Sequence, residues 1–208
     1  MKKRYSLACK VILLVIFGSW LGTLRGEIAG SLHDFSTSGW NPSTEICIAC
    51  HAPHNTDTTV PDAPLWNHAV TNSVFTLYSS PTLYATPLQP QGTTKLCLSC
   101  HDGTIALDSF GGVAGSTFLT GDGNLGTNLG DDHPVSIRWQ HQTELPNATC
   151  VKCHFNAVDV LPFFGESYAA GVYLECATCH DVHNGFPYPS LLRLPLGGSQ
   201  LCFHCHGK

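Results

Sequence analysis

Ten of the eleven cysteines in this 208-residue chain fall into one five-residue pattern, two cysteines separated by two residues and followed by histidine. The copies are Cys47-Ile48-Ala49-Cys50-His51, Cys97-Leu98-Ser99-Cys100-His101, Cys150-Val151-Lys152-Cys153-His154, Cys176-Ala177-Thr178-Cys179-His180 and Cys202-Phe203-His204-Cys205-His206. A shuffled chain of this composition would hold roughly 0.03 copies, so five are not accidental. C-x-x-C-H is the attachment signal for c-type haem. Each cysteine sulfur forms a thioether to a former vinyl group, and the histidine reaches the iron as proximal ligand. The two-residue gap sets the sulfurs at the separation of the two vinyl positions. The pattern therefore predicts five covalent haem c groups.

Other uses of paired cysteines fit less well. Zinc sites use C-x-x-C pairs, but zinc does not require histidine after every pair. Five disulfides in an exported protein leave the five histidines unexplained. A thioredoxin-like redox site needs one C-x-x-C on a βαβ unit, and no such pattern is visible.

Each iron needs a second axial ligand or keeps an open position. Met1 is the only methionine, so the processed chain holds none and His/Met ligation is excluded. After the five proximal histidines, seven remain, and His204 sits between the cysteines of its own motif. The distal candidates are His33, His54, His68, His133, His141 and His183, six for five positions. Every haem can then be bis-histidine and low in potential. His54 and His183 each follow a proximal histidine by three residues. On a helical turn such a pair projects to one side, so each distal member is expected to ligate a different haem and tie neighbours together. His141, nine residues before Cys150, is the candidate for the third haem.

Lys2, Lys3 and Arg4 precede an apolar run from Val11 to Leu24, the order of a secretory signal. At about 14 residues the run is short for a span, which needs roughly 20. Residues 1–26 are read as a signal peptide, with an uncleaved anchor as the alternative, and no membrane span is expected after cleavage. The protein is expected to be exported, to the cell surface or beyond, or else to the periplasm. From Glu27 onward five basic residues face fifteen acidic ones. That balance excludes nucleic acid as a partner, because counterion release needs a basic surface.

The 182 residues after the leader leave about 36 per haem, too few for an ordinary apolar core, so the haems must serve as the core. Glycine and proline supply 33 residues, which disfavours long regular elements. The expected fold is a mostly irregular multihaem cytochrome c, with sparse short helices and a few short strands wrapped around a chain of haems. Val74 to Tyr78 alternates weakly like a strand, and Gly111 to Gly130 reads as an irregular loop. Trp40, Trp66, Trp139, Phe163 and Phe164 are expected to pack on haem.

An internal repeat organises the chain. Cys47 to Asn55 reads CIACHAPHN and Cys176 to Asn184 reads CATCHDVHN, each followed by a second motif beginning Leu-Cys. Residues 27–208 are read as one pentahaem domain of two dihaem units, 31–110 and 174–208, with the motif at 150–154 inserted between them.

With His33-Asp34-Phe35-Ser36, Pro64-Leu65-Trp66-Asn67-His68, Leu96 to Ser109, Asp131-Asp132-His133-Pro134-Val135-Ser136 and Leu201 to His206 added to these repeats, the sequence resembles the OmcE-type extracellular cytochrome filaments within the doubled-CxxCH cytochromes. The match runs from about residue 31 to the end. It implies a homopolymer in which bis-histidine haems form a continuous chain, delivering electrons to other redox proteins or external acceptors. It also implies that one haem per subunit takes a histidine from its neighbour, with His33 the natural suspect. The typical member has four haems, so the motif at Cys150 is a departure. A monomeric periplasmic shuttle is the second reading. A multihaem nitrite or hydroxylamine reductase is the third, and it needs an open iron. All five proximal positions are histidine, so no enzymatic activity is expected.

Overall fold

The computed structural model describes residues 28–59, 63, 65–83, 85–139, 161–167 and 171–206. The leader and the motif at Cys150, Cys153 and His154, with His141, lie outside the described residues. Regular structure is sparse. Helix α1 spans Gly92–His101, α2 Cys176–Cys179 and α3 Gln200–Phe203, and strands β1 Ile137–Trp139, β2 Phe164–Ser167 and β3 Gly171–Leu174 form one antiparallel sheet in the order β1-β3-β2. Short 3-10 turns cover Phe35–Thr37, Gly121–Gly123, Pro189–Leu191 and Gly197–Ser199. The rest of the described residues are turn and irregular chain, as the glycine and proline content predicts. Among the described residues no helix is long and apolar enough to cross a membrane.

Among the described residues helix α1 is the longest element because it has both a stop and a buried face. Gly103, at φ +69°, takes the left-handed position just past its end, where a side chain would be penalised. Leu98 is fully buried against Phe75 and Leu129, with Leu77 packed beside them. This small cluster is the apolar centre of the first half. Leu98→Ala is expected to cost about 2–5 kcal/mol, the range for deleting a well-packed leucine. Chemical denaturation of the variant beside the parent chain measures it.

The segment from Val74 to Tyr78 does not form a strand of a sheet. Thr76 bridges Asn128 at one point, and Phe75 is paired instead with a side chain. The Phe75 N–H donates to Gln89 Oε1 and its carbonyl accepts from Gln89 Nε2, both at 2.9 Å. One amide side chain thus substitutes for a neighbouring strand and satisfies the backbone locally.

The sheet aims the second half of the chain. Ile137 pairs with Leu174, Arg138 with Tyr173 and Trp139 with Val172, and β3 runs directly into Glu175 and Cys176. Gly165 sits at φ +131° against the Gly171 carbonyl, where an added Cβ would collide, so the close β2–β3 approach there requires glycine.

Candidate haem sites

Each described C-x-x-C-H copy is one helical turn. The proximal histidine N–H donates to the carbonyl of the first cysteine, at 2.8 Å for His51 and His206 and 3.0 Å for His180. The motif at Cys97 lies within α1. Residues three and four apart share a face of a turn, so both sulfurs and the imidazole point the same way.

The repeat is structural as well as sequential. Ala52 N–H donates to Leu65 O and Asn67 N–H to Cys50 O, while Asp181 N–H donates to Leu191 O and Arg193 N–H to Cys179 O. His51 bridges Trp66, and His180 bridges Leu192. Asn67 Nδ2 donates to Ile48 O at 2.6 Å, and Arg193 Nε donates to Ala177 O at 2.8 Å, the same carbonyl in each motif. Even the uncommon backbone recurs: Asn55 and Asn184 have φ +58° and +54°, Leu65 and Leu191 +53° and +57°. A left-handed leucine is unfavourable and persists only where its surroundings impose it. Here that surrounding is the return strand clamped on the proximal histidine.

Among the described residues three histidine pairs come together. His33 faces His101 with ring centroids 6.0 Å apart, His183 faces His51 at 6.3 Å, and His133 faces His206 at 6.2 Å. Two imidazoles on opposite sides of one iron, each with its nitrogen about 2 Å from the metal, have centroids about 6 Å apart. The residues therefore fit the group. His33 Nδ1 is buried without a hydrogen-bond partner. Burial, then the charges of His101 and His180, hold the His33 pKa down at about 4. Burial likewise lowers His133. Both rings are kept neutral, the form that can donate to a metal.

Backbone carbonyls set the rings. His101 Nδ1 lies 2.7 Å from Gly123 O, His180 Nδ1 2.9 Å from Ser190 O, and His133 Nδ1 3.0 Å from Pro134 O. A carbonyl only accepts, so each Nδ1 carries the proton and Nε2 keeps its lone pair. Metal-binding histidines are commonly held this way.

The remaining candidates are placed differently. His68 is buried, with Nδ1 2.7 Å from Ala69 O and Nε2 3.0 Å from Ala106 O. Both of its nitrogens are thus directed at backbone. His204 Nδ1 is 2.8 Å from Gln200 O. His54 is exposed in the position equivalent to His183. His33, suspected from the resemblance of reaching a neighbouring subunit, faces His101 of its own chain, because the turn at 31–37 folds it back onto α1. Trp66 stands edge-on to His51 at 6.2 Å, while Trp40 packs on Phe35 and Phe110.

Successive motifs touch. The Cys97 thiol donates a hydrogen bond to Cys176, which raises the former and lowers the latter, and the Cys176 N–H donates to Thr94 Oγ1 at 3.0 Å. Burial pushes Cys50 up to about 11 and Cys100 to about 12, each with help from a neighbouring cysteine, Cys47 for the first and Cys50 for the second. Cys205 rises to about 11 through burial and the nearby Cys179. Such surroundings disfavour a thiolate and cost an uncharged thioether nothing. No disulfide joins the eight described cysteines, and among the described residues no three His, Cys, Asp or Glu side chains converge as metal ligands.

Residues 169–208 match the family model of the doubled CXXCH motif. That stretch holds the Cys176 and Cys202 copies, and the motif signifies covalently bound haem c and electron transfer of the multihaem cytochrome kind. Among curated proteins, none matches the chain.

Two residues of the site have no counterpart in the cysteine and histidine pattern. Asp102 and Glu175 are buried carboxylates, 3 % and 2 % exposed, directly after His101 and directly before Cys176. A carboxylate adjoining a buried motif is a signal readable from sequence, though its burial is not.

Proposed function

We propose that the protein transfers electrons through five covalently bound haem c groups, each with two histidine ligands, and that it is the subunit of an extracellular filament without enzymatic activity. The observation that carries the haem reading is the 6.0–6.3 Å spacing of three histidine pairs, each joining a proximal residue to one of the spare histidines. A haem with two axial imidazoles supplies a one-electron ferric/ferrous couple.

The repeat extends the pairing. His33 serves His101, and His133 serves His206. His183 crosses to His51, and by the same symmetry His54 crosses to His180. The proximity of Cys50 to Cys100, Cys97 to Cys176 and Cys179 to Cys205 supports a closely spaced array, which electron hopping requires. His154 with Cys150 and Cys153 adds the fifth group, with His141 as its distal ligand. The acidic balance after the leader suits docking to basic patches on redox partners, and the leader supports export.

Polymerisation rests on the resemblance. Electron microscopy of the haem-loaded protein at micromolar concentration is expected to show uniform filaments with a fixed subunit repeat. A monodisperse population of single particles would overturn the filament and leave the periplasmic shuttle. One observation favours that second reading: His33 faces His101 of its own chain, which removes the first suspect for a cross-subunit ligand.

A further inference from the structure

The attachment turn at Cys97–His101 lies between two buried carboxylates. Glu175 is packed at its Cys97 end and Asp102 follows its histidine. Glu175 accepts a hydrogen bond from Ser136 Oγ at 3.1 Å, and its side chain also accepts from the Thr178 N–H in a capping box. Ser136 Oγ in turn accepts from the Gln91 N–H at 3.3 Å, so its own proton is directed to Glu175. Asp102 accepts from Thr71 Oγ1 at 2.6 Å, from the Thr104 N–H at 2.7 Å and from Thr104 Oγ1 at 2.8 Å. Both carboxylates are acceptors in each of these contacts.

The Cys47 motif lacks this feature: Ile46 precedes it where Glu175 precedes Cys176, and Ala52 follows His51 where Asp102 follows His101. The charge of Glu175 is felt at both Cys97 and Cys176, and that of Asp102 at Cys100. Buried charges act through a low effective dielectric and are little screened by salt.

We propose that Glu175 and Asp102 set the reduction potential at the Cys97–His101 site, making it the hardest of the array to reduce. Both are positioning residues: neither touches the iron, and both oppose the electron that reduction adds beside them. The site also adjoins Cys50 on one side and Cys176 on the other. Reduction there is thus the uphill step through which electrons pass between the two halves. This inference rests on the haem reading above.

Spectroelectrochemical titration of the full haem-loaded chain tests it. Glu175→Gln keeps the capping geometry and removes the charge, and Asp102→Asn does the same at the other end. Each is expected to raise the lowest-potential step, Asp102→Asn leaving the higher steps in place and Glu175→Gln raising the Cys176–His180 step as well, and the double variant to raise the lowest step further. The expected shift is about tenfold in the reduced-to-oxidised ratio at fixed potential, which for one electron is 59 mV. A lowest step that does not move in Glu175→Gln, in a chain whose mass shows all its haems, overturns the proposal; so does movement confined to a higher step. Peptide mapping of the parent chain that finds no haem on Cys97 and Cys100 sinks the haem reading instead. A folding defect in one variant leaves the other to decide.

Discussion

Replacing His183 by alanine is expected to open one iron per chain. Its ring lies 6.3 Å from that of His51, nearly parallel at 14°, and the return strand from Leu191 to Arg193 is anchored to its own motif by backbone bonds, so the histidine can be removed without unfolding the turn. The parent protein, with every iron carrying two imidazoles, is expected to bind little carbon monoxide when reduced. His183→Ala is expected to bind about one equivalent, with one low-spin haem converted to high spin. Rescue by added imidazole would separate a lost ligand from a lost fold. His33→Ala and His133→Ala are expected to behave in the same way at His101 and His206. Strong carbon monoxide binding by the parent at one haem per chain would instead indicate an open iron and revive the reductase reading.

Replacing Cys176 and Cys179 together by alanine is expected to remove one haem from the middle of the array. Whole-chain mass spectrometry should show one haem fewer than the parent. Reductive titration should fall from five electrons per chain to four. The Cys176 sulfur adjoins that of Cys97 and its N–H donates to Thr94, so the gap would fall at the junction of the two halves and slow exchange between them. The corresponding change at Cys150 and Cys153 is expected to remove one electron as well. If the mass of the parent chain already corresponds to four haems, the motif at Cys150 is not loaded and the count of five is wrong.

The strand expected at 74–78 and the sheet found at 137–174 show where local reading runs out. Phe75 has the right neighbours for a strand, yet its backbone is satisfied by Gln89, fourteen residues away. The strands that do form are three or four residues long. The pairing of β2 with β3 depends on a glycine approach at Gly165 that no alternation of side chains announces. His68 illustrates the same limit at the site. Its sequence context matched the other spare histidines, and only packing turned its ring toward the carbonyls of Ala69 and Ala106.

What the sequence by itself determined is the chemistry. The C-x-x-C-H copies, the absence of methionine after Met1 and the surplus of histidine are covalent and stoichiometric facts, which hold whatever the chain's path. The irregular fold followed for a related reason, since glycine and proline act on the backbone locally. The tertiary structure alone decided which histidine faces which: His33 with His101, His183 with His51 and His133 with His206 join residues up to 132 positions apart. It also decided that Glu175 and Asp102 are buried beside the same attachment turn. Pairing and burial are set by how separate turns pack against one another, and that information resides in no single stretch of the chain.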